Sequence, residues 1–334
     1  MKALRAGLVG VGQMGRNHAR VLRNLDGVDL VAVADPERDP NGVAGGLPVV
    51  ESVEGLTEFG LDCCVVASPT AFHLEGGLAL AEAGIHTMIE KPIATNLDEA
   101  DRLIAAFDRA GVVGCVGHVE RFNPAIRSMR ERIAHGELGE LYQISTRRQG
   151  PFVGRVADIG VVKDLGTHDI DLTMWLVSQP IIAVSARTAH RMGRQHEDLA
   201  SITSICANDV VGNHIVNWLS PLKERVVQVT GERGSFVANT ITADLTYWAN
   251  GEIASEWESL LHTRGVTEGD VIRYAISKPE PLVSEAEAFR DAILDVRQDV
   301  VTLSEGRRVL AVAEACLESA ASGQTIELPP VRDT

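Results

Sequence analysis

The chain has 334 residues, 45% hydrophobic and 23% charged, enough for two ordinary domains with substantial cores. Its net charge of −15 opposes nonspecific binding to nucleic acid or to an anionic membrane surface, and restricts any anionic substrate to a local basic pocket. No apolar stretch approaches the ~18 residues of a membrane helix, and glycines, Gln13 and Arg16 interrupt the segment after Met1-Lys2-Ala3-Leu4-Arg5, so a signal peptide is not expected.

In chain order, residues 6–9 form a short apolar run, followed by glycines and a helical pattern over 14–25. A second β-type run covers 30–34 and a third, LDCCVVA, covers 61–67. Ser68-Pro69-Thr70 turns into a helix reaching about 83. A strand at 86–89 precedes a helix over 97–110, with Thr95 as the expected N-cap, and a strand over 112–116. Continuous apolar strands alternating with helices mean a parallel sheet buried on both faces. After about residue 122 the pattern changes. A helix over 124–135 leads to an alternating strand at 141–147, an irregular stretch over 150–162 and a helix from about 165. Strands at 181–189, 199–206, 210–218, 224–230 and 235–238 then follow with little helix between them, a mostly antiparallel sheet. Helices over 284–296 and 304–322 and an extended 325–328 close the chain. The expected domains are 1–121 and 122–334. Five cysteines, an odd number without metal-type spacing, read as reduced core thiols of a cytoplasmic protein.

Gly10-Val11-Gly12-Gln13-Met14-Gly15 is a G-x-G-x-x-G that follows a strand, opens a helix and has Asp35 at the end of the next strand. Turn, close backbone approach and helix–strand packing each demand one glycine, and the helix N-terminus supplies amides to a pyrophosphate. Asp35 can accept the adenosine ribose hydroxyls and would repel a 2′-phosphate, which favours NAD over NADP, although Arg38 stands nearby. Ser68-Pro69-Thr70 ends a later strand, where sheet ends line the ligand crevice. It reads either as a helix-starting turn or as a contact to the nicotinamide-side ribose, and His73 as a packed helix histidine or a site residue.

In Met88-Ile89-Glu90-Lys91-Pro92 an apolar strand ends in an acid–base pair locked by proline, and X–Pro is the bond type that reaches cis cheaply. Lys91 reads as an exposed turn residue or as a group beside cofactor and substrate hydroxyl. Asp164 and His168, four apart at a helix start, share a face and suit removal of a hydroxyl proton during hydride transfer. Asp169 and Asp171 read as dipole complements or structural contacts. His73, His118 and His168 lack tight spacing to another ligand, so no metal is expected.

Together GVGQMG at 10–15, EKP at 90–92 and DLGTHDID at 164–171 resemble the Gfo/Idh/MocA oxidoreductases, and the resemblance extends to GQTIELP at 323–329. It implies an α/β fold: an N-terminal Rossmann domain with a doubly wound parallel sheet, then a C-terminal α/β domain whose large, open, mostly antiparallel sheet makes a homodimer or homotetramer. It also implies NAD(P)-linked oxidation of a sugar or cyclitol hydroxyl, with Lys91, Asp164 and His168 catalytic. The cofactor-binding set is then Gly10, Gly12, Gln13, Met14, Gly15, Asp35, Ser68, Pro69, Thr70, His73, Glu90 and Lys91. A finer resemblance, in GHVERFNP at 117–124 and in Gly150-Pro151-Phe152 with Gly160-Val161-Val162, is to the nucleotide-sugar branch, similar to UDP-N-acetylglucosamine 3-dehydrogenases. Substrate contacts would come from Lys91, Arg121, Asn123, Lys163, Asp164 and His168, with Arg148 and Arg155 as further cations for a diphosphate. Arg121 reads equally as a structural ion pair. An inositol or free-sugar dehydrogenase, and a non-catalytic NAD-binding regulator, are the alternatives.

Overall fold

The computed structural model describes residues 2–152, 154, 159–251 and 267–329. The chain divides into two compact units, one of Met1–Phe122 with Pro279–Ala311, the other of Asn123–Lys278 with Val312–Thr334.

The first unit opens with β1 (Leu4–Val9), α1 (Gln13–Asn24), β2 (Val28–Ala34), β3 (Val49–Val50), α2 (Val53–Thr57), β4 (Cys63–Val66), α3 (His73–Glu82), β5 (His86–Glu90), α4 (Leu97–Ala110) and β6 (Gly114–Gly117). Its strands are all parallel in the order β3-β2-β1-β4-β5-β6. Sequence order reverses between β1 and β4, the switch point at which doubly wound sheets bind ligands. Side chains alternate across β4. Cys64 and Val66 join the core with Leu56, Leu80 and Leu103, while Cys63 and Val65 join the opposite core with Leu22 and Met88. Burial on both faces is why LDCCVVA shows no polar alternation. Asn96, not Thr95, caps α4: its side chain accepts the Glu99 amide, while Glu99 reaches back to the Thr95 amide. Glu99 thus returns a bond to the residue before the cap, a variant of the capping box.

The second unit comprises α5 (Pro124–Ala134), β7 (Leu141–Pro151), α6 (Thr167–Val177), β8 (Ile181–Ala189), β9 (Leu199–Cys206), β10 (Val211–Asn217), β11 (Leu219–Gly231), β12 (Gly234–Asn239), β13 (Asp244–Gly251), β14 (Thr267–Arg273) and β15 (Ile326–Glu327). Among the described residues these strands form one sheet, β14-β13-β12-β11-β7-β10-β9-β8-β15, antiparallel throughout except where β7 meets β10. One face is the core, with Ile144, Val216, Val229 and Phe236 buried; the other carries the exposed Ile215, Trp248 and Val271. β13 and β14 were not anticipated, because their apolar residues are few and lie partly on that outer face.

The tail corrects the expected division. Helix α7 (Pro281–Ile293) returns to the first unit, where Leu282, Ala286 and Phe289 complete the core on the α1 side of the parallel sheet. Helix α8 (Leu303–Ser322) begins there, with Leu303 and Leu310 in the core on the α3–α4 side, and ends in the second unit, where Ser319 Oγ accepts the Ala186 amide. An apolar stripe shows that a helix needs covering, not which sheet it covers.

Candidate active site

Three glycines shape the loop after β1, each for a different reason. Gly10 has φ +88°, and a Cβ there would lie 2.8 Å from the Ala67 carbonyl and the Ser68 amide. Only glycine lets the loop pass so close to the end of β4. A Cβ on Gly15 would collide with the Gly10 carbonyl oxygen, whereas one on Gly12, the exposed N-cap of α1, would meet no protein atom within 4 Å. No described protein atom therefore requires Gly12 to be small, and the space above it is open to a ligand. No side chain caps α1, which leaves its first amides and dipole for a pyrophosphate above Gly12, Gln13 and Met14.

Asp35 accepts the Val11 amide on Oδ2 and the Glu37 amide on Oδ1, both at 2.9 Å. The carboxylate is thereby held against the glycine loop with further lone pairs for ribose hydroxyls. Arg38, at φ 60°, bonds Glu51 through Nε at 3.0 Å and Nη2 at 2.5 Å. Its charge is shared with a carboxylate, so it does little to offset Asp35. These residues fit NAD.

The next two strand ends are tied to the same loop. His73, at the start of α3, places Nε2 3.0 Å from the Ser68 carbonyl oxygen and Nδ1 3.0 Å from that of Pro92. It is 1% exposed, and burial holds it below the ordinary imidazole range. Both ring nitrogens face backbone carbonyls, so the ring packs between the two turns, its single neutral N–H donating to one of them. Ser68 Oγ is buried with no hydrogen-bond partner among the described residues, a polar atom left for a ligand. Thr70 is buried and Pro69 exposed. At the end of β5 the Lys91–Pro92 bond is cis and Lys91 is half-buried. Glu90 is buried and bonds His18 Nε2 at 2.8 Å through Oε1, while its Oε2 accepts the Lys91 amide at 3.2 Å. Burial pushes the Glu90 carboxyl up, but the hydrogen bond and charge of His18 and the charge and amide of Lys91 outweigh it, so it lies below the usual carboxylate range. His18 was missed by sequence reasoning; its signal was position, one turn beyond Gly15 on the same helix.

In the second unit, Asp164 falls in a single π-type turn, Val162–Gly166, that runs directly into α6, and His168 in the first turn of α6. Single π turns recur at functional sites, and this one has a specific support. Glu197 takes the Val162 amide on Oε1 at 2.9 Å and the Val161 amide on its backbone carbonyl at 3.0 Å, and a Cβ on Gly160 would overlap its carboxylate. Asp164 is buried and His168 half-buried. Neither the π turn nor Glu197 was read from sequence, since Glu197, in the segment before β9, is 35 residues from Val162.

Three of the cations expected at a diphosphate, Arg121, Arg148 and Lys163, are engaged by acids. Arg121 Nη1 bonds Glu305 Oε1 at 2.7 Å within the first unit. Glu305 lies below its ordinary range: burial raises it, but the charge and hydrogen bond of Arg121 and the bonds from Thr302 prevail. Arg148 Nε bonds Asp169 Oδ1 at 2.8 Å with both side chains almost wholly buried, and Lys163 Nζ lies 3.4 Å from Glu314 Oε1. Asn123 caps α5 through the Ala125 amide and donates to the Thr240 carbonyl, so its amide is committed within the fold. Arg155 lies outside the described residues. Lys91 belongs to the first unit, Asp164 and His168 to the second.

Comparison with known proteins agrees with this layout. Residues 4–118 match the family described as an oxidoreductase family with an NAD-binding Rossmann fold, and residues 130–328 its C-terminal alpha/beta domain. The chain is 28% identical to inositol 2-dehydrogenase 2 of Saccharopolyspora erythraea, over 97% of this chain and 96% of that one. It is 27% identical to UDP-N-acetylglucosamine 3-dehydrogenase of Acidithiobacillus ferrooxidans, over 93% and 95%. A solved structure of UDP-N-acetylglucosamine 3-dehydrogenase from Acidithiobacillus ferrooxidans superposes with a TM-score of 0.83 at 26% identity, covering 96% of this chain and 99% of that one.

Proposed function

Because the chain belongs to the Gfo/Idh/MocA oxidoreductase family, we propose that this NAD-dependent dehydrogenase oxidises a secondary ring hydroxyl, at C3 of a UDP-linked amino sugar such as UDP-N-acetylglucosamine. The observation that carries the dehydrogenase reading is the linkage of three strand ends: Gly10 packs on Ala67 and Ser68, and His73 joins Ser68 to Pro92 beside Lys91. When bound, NAD⁺ supplies the hydride acceptor. The protein's part is electrostatic and protonic. His168 takes the hydroxyl proton on an imidazole nitrogen, acting as general base. The Lys91 ammonium stabilises the negative charge that grows on that oxygen, and Asp164 orients the hydroxyl.

The UDP-sugar assignment is supported by the segments at 117–124 and 150–162 and by the likeness to the Acidithiobacillus enzyme. A free cyclitol or sugar is favoured instead by the pairing of Arg121, Arg148 and Lys163 with Glu305, Asp169 and Glu314. NADH absorbance with UDP-N-acetylglucosamine and myo-inositol assayed side by side separates the two. Turnover with inositol alone would overturn the first. His168→Ala should remove most turnover while NAD still binds; wild-type rates in that variant would remove His168 from the role of base. NAD binding without turnover of either substrate would instead point to a regulator. The exposed face of the nine-stranded sheet suits a homodimer or homotetramer, and five buried, unbridged cysteines suit the cytoplasm.

A further inference from the structure

Lys91 is flanked on each side by a residue that a buried histidine holds, and the two histidines come from different helices. On the amino side, His18 of α1 bonds the Glu90 carboxylate, whose other oxygen takes the Lys91 amide. On the carboxyl side, His73 of α3 faces the Pro92 carbonyl and, through its second nitrogen, the Ser68 carbonyl. Gly117 of β6 makes room for the arrangement, since a Cβ there would lie 3.3 Å from Glu90 Cδ. An apolar pair of the same volume would join α1 to β5 without the desolvation cost of a buried carboxylate. The charge is kept where it faces His18, His73 and the Lys91 ammonium.

We propose that His18 and His73 are positioning residues for Lys91, a bracket that fixes its backbone to the helix receiving the dinucleotide and to the Ser68 turn. The proposal rests on the reading of Lys91 as the group that stabilises the reacting oxygen. Through the bracket, the pyrophosphate end of the cofactor, held on α1, and the lysine keep one relative placement, and small displacements of a positioning group are costly in rate.

The test uses the full-length protein with His18→Leu, His18→Gln, His73→Leu, Glu90→Gln and Lys91→Met. One readout needs no substrate: the rate at which a lysine-selective reagent labels Lys91, followed by peptide mass spectrometry with and without NADH. Labelling should change by about threefold or more in His18→Leu and His73→Leu and stay near wild type in His18→Gln, which keeps a donor at similar reach. NADH affinity should remain within about threefold throughout the His18 pair. With a sugar that turns over, kcat should fall roughly tenfold in His18→Leu at nearly constant KM, and recover in part in His18→Gln. In His18→Leu the pH profile of kcat should gain a dependence on Glu90, which without its partner takes up a proton more readily, and Glu90→Gln in that background should remove the added dependence. Wild-type labelling and kcat in folded His18→Leu would overturn the bracket. Should His18→Leu not fold, wild-type labelling and kcat in Glu90→Gln would do the same. Full turnover in Lys91→Met would instead sink the role given to the lysine, while the labelling result still decides the bracket.

Discussion

Among the described residues a methyl group at position 12 meets nothing within 4 Å, whereas one at position 15 meets the Gly10 carbonyl. The two alanine variants should therefore separate binding from folding. Gly12→Ala should keep its thermal midpoint and bind NADH on the order of tenfold more weakly, about 1.4 kcal/mol. Gly15→Ala should lose about 3 kcal/mol of stability. Calorimetry and fluorescence titration of both variants check this, and equal effects would deny the ligand role of Gly12. Asp35→Ala removes the acceptor of two loop amides and the charge that repels a 2′-phosphate. NADH should weaken by roughly ten- to a hundredfold, and the preference over NADPH should shrink, read from paired titrations. At this scale much was legible, because G-x-G-x-x-G and Asp35 act through local backbone. The partners of Arg121, Arg148 and Lys163 were not, since each acid lies outside the reach of local periodicity, from 21 residues away for Asp169 to 184 for Glu305.

Among the elements, α6 is supported from below by a polar layer rather than by hydrocarbon alone. Asp169 of α6 bonds Arg148 of β7, and His214 of β10 places its ring between Thr146 and Ser204 on the same buried face. Burial pushes His214 down to about 4, against the opposing charge of Asp169. Unfolded, the ring returns to its ordinary 6.5 and takes up a proton more readily than the native state does. The stability it contributes is thus complete above pH 6.5 and is lost as pH falls toward 4, about 3 kcal/mol over that window. Denaturant midpoints at pH 7, 5.5 and 4.5 should show this decline, and His214→Gln should flatten it; an unchanged slope would exclude His214 as its source. No periodicity marks such a histidine, because a buried imidazole and an apolar residue occupy the same place in the alternation of a strand.

Across the whole molecule, one face of the second unit's sheet carries exposed apolar side chains among the described residues. Ile215, Trp248 and Val271 are 43%, 48% and 52% exposed there. If that face joins copies of the chain, Trp248→Glu with Val271→Lys should shift sedimentation from a multimer to the monomer mass; a wild-type monomer would refute the assembly. By itself the sequence determined the class of both sheets, the glycine loop with Asp35 against it, and the family, because these depend on contacts between near neighbours and on a period of two or 3.6 residues. Only the tertiary structure decided that α7 returns to the first unit, that a π turn pinned by Glu197 carries Asp164, and that His18 and His73 hold the turn of Lys91. Those outcomes depend on which distant surfaces meet, and a stripe or a lone polar residue does not specify its partner. For the cofactor loop first read from six residues, the structure added the reason Gly10 and Gly15 are needed.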